Sequence, residues 1–279
     1  MNKAFFIVFF ITFQFTSAQQ ISCSPKDAKA FSAKVSEIKE LKQSNNFGEY
    51  LGEIGKTFLD IPYVAKTLEI GETESLVVNL HGLDCTTFVE NVLAFGLIFK
   101  ADSTDFYSFT KHLEKIRYRD GKLDGYGSRL HYFSDWIANN QKKGLVKNIT
   151  ADIGGKPLKK AINFMGTHRN LYPFLKDDEN FKKILQTEAE LAKRELYVLA
   201  QDQIKTNEHL LKTGDILAFA TSINGLDVTH TGFAIKHNGR IHLLHASTGS
   251  NMVEISKLPL ADYIKKIKKN TGIMVARPL

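Results

Sequence analysis

Apolar and polar positions alternate along this chain with two different periods, and the switch between them outlines a fold. Residues 27–58 interleave lysines with apolar residues at helical spacing, which predicts one or two amphipathic helices. A short apolar run around 75–80 reads as a strand. From Phe88 to Phe99 almost every position is apolar, as in a helix enclosed on all sides. Helical patterns recur near 105–116, at 132–142 and over the charged stretch 179–201, with a glycine-rich loop at 124–129. Beyond Thr213 the period drops to two, across 215–221, 230–247 and 272–276. The order predicts an α+β fold: a buried helix packed on an antiparallel sheet, preceded by a helical region at about 27–58. A largely helical insertion at about 105–200 interrupts it, and no internal repeat or low-complexity segment is visible.

Within the last β-rich part, Asn238-Gly239 lies between two alternating apolar runs, the strongest short-range signal for a two-residue type I′ hairpin. That turn sets the register. His237 faces Arg240, and counting back pairs Gly232 with His245. His230 is two residues from Gly232, so it falls on the same face as His245 and diagonal to it. Gly232 carries no side chain and leaves room for two imidazoles to meet. His242 has the opposite parity and points away. A slip of one residue would destroy the arrangement.

Asp84-Cys85-Thr86-Thr87 stands at the start of the buried helix. Asp84 suits the N-cap, which places Cys85 in the first turn among unpaired N–H groups and the positive end of the helix dipole. Such a setting is expected to lower a thiol from about 8.5 to roughly 3.5–7.5. A lone cysteine is more commonly a small buried hydrophobe. With two histidines on one strand face, the trio instead reads as nucleophile, general base and orienting group: Cys85, His230 and His245.

Asp84-Cys85-Thr86-Thr87-Phe88-Val89, His230-Thr231-Gly232-Phe233-Ala234-Ile235 and Leu244-His245-Ala246-Ser247 together resemble the NlpC/P60 superfamily of cell-wall cysteine peptidases. Two further segments, 61–69 and 127–136, are similar to its DUF1460 branch. The resemblance spans roughly residues 40–279. It implies a papain-like core and N-acetylmuramoyl-L-alanine amidase activity through a thioester, with no metal or other cofactor. The commoner superfamily activity, a γ-D-glutamyl–diamino-acid endopeptidase, stays open. So do a thioester acyltransferase and an inactive wall-binding protein. The resemblance suggests that the Tyr63 hydroxyl lies near the thiolate, against a packing role. Asp84 is a further candidate at the site, although capping is its simpler role. Tyr126, Arg129, His131, Tyr132 and Trp136 form an aromatic and cationic group that could bind a carboxylate and stack on sugars. The bland alternative is a loop anchored by Trp136, with Arg129 paired to Asp124 or Asp135.

The first residues add a compartment. Met1-Asn2-Lys3, an apolar run from Ala4 to Phe15 and Thr16-Ser17-Ala18 read as a signal peptide covering residues 1–18. Residues 19–279 would then form one exported catalytic domain, periplasmic or secreted, without stable membrane insertion and monomeric. Cys23 could be lipidated or could pair with Cys85, which would block the nucleophile. The net charge of +7 keeps its sign without a leader whose only charge is Lys3. A basic exported protein suits anionic wall fragments such as muropeptides, and nothing in the chain resembles a nucleic-acid-binding motif.

Overall fold

The computed structural model describes residues 21–42 and 44–279. The expected signal peptide lies outside the described residues. In chain order the elements begin with β1 (Ile21–Cys23), α1 (Pro25–Lys39), α2 (Phe47–Lys56), β2 (Leu76–Val78) and α3 (Cys85–Lys100). The inserted region holds α4 (Phe106–Arg117), α5 (Phe133–Lys142), β3 (Val146–Asn148), β4 (Lys156–Leu158), α6 (Phe164–Thr167), α7 (Asp178–Leu191) and β5 (Leu196–Ala200). The chain finishes with α8 (Ile204–Asn207), β6 (Ile216–Thr221), β7 (Val228–His237), β8 (Arg240–Ser247), β9 (Met252–Ile255), α9 (Leu260–Ile264) and β10 (Asn270–Pro278).

The main sheet is antiparallel and eight-stranded, in the order β4-β5-β10-β6-β7-β8-β9, with β3 also paired to β10. Helix α3 packs on β7 and β8, with α2 and α4 around it. Every residue from Thr87 to Ile98 is buried, which is why the sequence shows no polar stripe there. Its aromatic contacts run both ways: Phe88 meets Phe233 of β7 at 5.9 Å and Phe58 at 6.0 Å, edge to face. The other sheet face, including Leu217, Phe219, Ala234 and Leu243, packs with Leu260, Ala261 and Ile264 of α9.

One polar network crosses the core. Arg117 of α4 donates from Nε to Glu90 of α3 at 2.7 Å and from Nη1 to the Val77 carbonyl at 2.7 Å. Trp136 Nε1 donates to the other Glu90 oxygen at 3.3 Å. Both charged side chains are 2% exposed, so neither can lose its partner without leaving a charge stranded. The network binds α3, α4, α5 and β2 into one frame behind the start of α3.

The inserted region is less helical than its pattern predicts. Residues 196–200, read as the end of a charged helix, form β5, and β3, β4 and β5 all join the main sheet. The helix ends at Leu191 because the next strand gains ladder partners on β4 and β10 that local periodicity does not reveal. The insertion also has its own apolar cluster, built on Tyr126, Tyr132, Ile162, Met165, Leu175, Ile184 and Leu191.

Candidate active site

Asp84 caps α3 in both directions. Its carboxylate accepts the Thr87 N–H at 2.8 Å, and the Thr87 hydroxyl accepts the Asp84 N–H at 2.9 Å. Cys85 is thus the first helical residue, with its backbone N–H outside the helical ladder. Cys23 and Cys85 are both free thiols.

The hairpin supplies the imidazoles. Asn238 and Gly239 both take positive φ, 49° and 78°, and His237 pairs with Arg240 as the turn demands. The β7–β8 ladder is paired as far as Phe233–Leu244, one pair short of Gly232–His245. Even so, a Cβ placed on Gly232 would stand 2.9 Å from the Cβ of His245, so only glycine permits this approach. Nε2 of His230 lies 2.7 Å from Nδ1 of His245, with the rings 88° apart. His242 turns elsewhere and donates from Nδ1 to the Ser256 carbonyl.

Thr231, adjacent to His230 but of opposite parity, ties the two halves together. Its hydroxyl donates to the Cys85 carbonyl at 2.8 Å, and its N–H and hydroxyl also face the sulfur. The alternation along β7, which turns Thr231 to the face opposite His230, is the sequence signal that points to this residue. Tyr63 stands beside the thiol, held by strand-like bonds from its N–H to the Asn251 carbonyl and from the Val64 N–H to the Leu83 carbonyl.

Electrostatics correct one expectation. Burial, followed by the Asp84 charge, pushes the Cys85 thiol up to about 11, although contacts with Thr231 and Thr86 favour the thiolate. The helix start does not overcome the loss of water. Burial lowers His230 to about 4, and burial with the neighbouring His230 lowers His245 to about 3. At neutral pH the thiol and both imidazoles are therefore uncharged. Burial and the nearby Cys85 and Asp84 raise Tyr63 to about 12, so its hydroxyl stays a donor.

Beside the start of α3 lies a cavity of about 210 Å³, lined among others by Lys66, Glu69, Asp84, Thr86, Arg129 and His131. Arg129 is 6% exposed, pairs with Glu69 and stacks over the Tyr126 ring. It pairs with neither Asp124 nor Asp135; Asp135 is held by Arg119 and Arg194, both at 2.6 Å. Burial and Arg129 push His131 well below its ordinary value, and its Nε2 donates to the Tyr126 carbonyl. Three of the aromatics expected at a sugar face are inside the protein. Trp136 is fully enclosed, Tyr126 is 1% exposed, and the Tyr132 hydroxyl donates to Glu188. Tyr132 is held by Glu188 of the insertion and Trp136 by Glu90 of α3, distant contacts that no local pattern encodes. Among the described residues, no group of three or more His, Cys, Asp or Glu side chains is placed to hold a metal ion.

A family model described as AmiA-like, N-acetylmuramoyl-L-alanine amidase-like, matches residues 53–273. The chain belongs to this family. An N-acetylmuramoyl-L-alanine amidase from Bacteroides uniformis is 39% identical to this AmiA-like chain with a TM-score of 0.80; the match covers 84% of this chain and 99% of that one. A Bacteroides fragilis protein described as a candidate xylanase is 42% identical with a TM-score of 0.76, covering 80% and 98%. A Legionella pneumophila protein carrying the DUF1460 family model shares the fold at 22% identity, with a TM-score of 0.66 and coverage of 90% and 95%. Among curated proteins, none matches.

Proposed function

We propose that this protein is an exported cysteine amidase that cuts the N-acetylmuramoyl–L-alanine bond of peptidoglycan fragments. The observation that carries the reading is the His230–His245 pair, bonded at 2.7 Å across β7 and β8, with Thr231, the residue after His230, bonded to Cys85. Membership of the amidase-like family and the 39% identical amidase support the bond chosen. A helix-start thiol, a histidine on the adjoining strand and a second on the next strand match the papain-like NlpC/P60 arrangement. The leader at residues 1–18 supports export, with the periplasm as the destination.

The chemistry follows from the neutral resting trio. His230 takes the thiol proton as the sulfur attacks the lactyl carbonyl carbon, and the C–S bond forms. The carbonyl oxygen becomes an oxyanion near the Cys85 N–H and the Tyr63 hydroxyl, both donors. Protonated His230 delivers its proton to the alanine nitrogen as the C–N bond breaks, releasing the free peptide and leaving a thioester. Water, deprotonated by His230, then attacks the thioester; the C–S bond breaks and the thiol regains its proton. A glycosidase would need two carboxylates flanking the bond, whereas the candidate groups here are a helix-start thiol and a bonded imidazole pair joined through Thr231.

The test is mass spectrometry of a defined disaccharide-tetrapeptide incubated with the mature protein and with Cys85→Ala. Free tetrapeptide from the wild type alone is the expected result. Release of the C-terminal dipeptide instead would replace the amidase with an endopeptidase. No product from reduced wild-type protein would remove hydrolysis of this substrate.

A further inference from the structure

Productive proton transfer demands one tautomer of the histidine pair. If His230 is to receive the thiol proton on Nδ1, its own proton must sit on Nε2 and be donated to Nδ1 of His245. The single proton of neutral His245 is then on Nε2. That nitrogen is buried, with no hydrogen-bond partner among the described residues, and His245 is 0% exposed. In the opposite tautomer His245 donates from Nδ1, His230 carries its proton on Nδ1, and the thiol faces a donor. Both states satisfy the 2.7 Å contact between the rings, so the choice rests on what faces Nε2 of His245.

Glu254 faces it. It is the cross-strand partner of His245 in the β8–β9 ladder, so both side chains leave the same sheet face. Its Oε1 is 3.8 Å from His245 Nε2, and its side chain is 26% exposed, within reach of a bridging water. An ionised carboxylate accepts and never donates, so it favours a proton on Nε2. The other groups around the pair do not provide that bias. Tyr263 of α9 meets the His245 ring edge-on at 5.4 Å, and its hydroxyl interacts with Ser247 and Glu254. Phe219 of β6 packs on His230 and carries no charge.

We propose that Glu254 is a positioning residue of the site: through His245 it holds His230 in the tautomer that can accept the Cys85 proton. This rests on the cysteine-amidase reading, in which His230 is the base. The role resembles that of an acid behind a histidine in a hydrolase triad, moved one residue further back.

Glu254→Gln retains an oxygen that can accept from Nε2 but loses the charge; Glu254→Ala loses both. Expected in Glu254→Ala is a fall in kcat of about tenfold or more with KM unchanged. Glu254→Gln falls less. In both, the acid limb of kcat/KM moves down by about half a pH unit, because the carboxylate that stabilised the charged imidazoles is gone. A purely structural role would lower activity without moving that limb. Long-range nitrogen–proton NMR reads the tautomer without substrate. The wild type should carry the His245 proton on Nε2, and Glu254→Ala should gain population on Nδ1. A wild-type proton on Nδ1, or an alanine variant with unchanged tautomer and unchanged kcat, overturns the proposal. Should the alanine variant fail to fold, the glutamine variant decides by its pH limb. If wild-type protein cleaves no muropeptide, the NMR result still judges Glu254, and the amidase reading falls separately.

Discussion

Mild acid should unfold this protein earlier than it would without its histidine pair. His245 is fully enclosed and lowered to about 3, while His230 is lowered to about 4. In the unfolded chain both titrate near pH 6.5. Between these values the unfolded state binds more protons than the native one. The stabilising effect is complete above about pH 7.5 and is lost progressively as pH falls from 6.5 towards the native values of about 4 and 3. At pH 5 each unfolded histidine is about 1.5 units below its pKa while each native one is still neutral. At about 1.36 kcal/mol per unit, each costs about 2 kcal/mol. The pair removes about 4 kcal/mol, from a total that for a domain is typically about 5–15 kcal/mol. Urea unfolding followed by circular dichroism at pH 7.5 and 5.0 measures this directly, with His245→Gln as comparison. The variant should lose about 2 kcal/mol less than the wild type over that interval. His131, lowered by burial, and Asp227, raised by it, are common to both proteins and cancel. Equal losses in the two proteins would refute a neutral His245 in the native state.

Three substitutions test the frame around the site. In Gly232→Ala the new methyl would lie 2.7 Å from the Leu244 carbonyl oxygen and 2.9 Å from His245 Cβ, costing about 1–3 kcal/mol and reducing activity. A variant as stable and as active as wild type would show that the close approach is not required. Arg117→Met strands Glu90, 2% exposed, and should cost about 3–5 kcal/mol in chemical denaturation; adding Glu90→Leu should recover most of it. A double variant no more stable than Arg117→Met would contradict the stranded-charge explanation. Thr231→Val removes the hydroxyl from the Cys85 carbonyl and sulfur, so about 1 kcal/mol of stability and part of the thiolate's support should go. Slower alkylation of Cys85 at fixed pH, measured in a Cys23→Ser background, is the expected sign; an unchanged rate would argue against it.

What could be read from the sequence was what short-range chemistry decides. Asn238-Gly239 demands positive φ twice, and that turn carries the register most of the way to His245. Asp84 and Thr87 close a cap within four residues, so the position of Cys85 at a helix start needed no tertiary information. The insertion departs from its local pattern because its order comes from distant partners. β3 pairs with a strand more than a hundred residues later, and β5 continues from a helical segment with no break in polarity. Three-residue strands carry too few positions to display a period.

The aromatic group and the thiol illustrate the same point in energetic terms. A tyrosine or tryptophan after a glycine-rich loop has the same composition whether it faces a sugar or a core. Glu188, from the far end of the insertion, accepts the Tyr132 hydroxyl, and Glu90, on α3, receives the Trp136 N–H; together they draw both rings inward. The helix start acts on Cys85 locally and is worth about 1 kcal/mol in such settings. Packing of the Tyr63 segment and β7 around the sulfur is nonlocal, and desolvation is the largest influence on its pKa. The thiol therefore rests protonated, and in the proposed reaction a base that is itself neutral must collect the proton during attack. Under that proposal the tautomer of His230, rather than the acidity of Cys85, is the property the surrounding strands have to control.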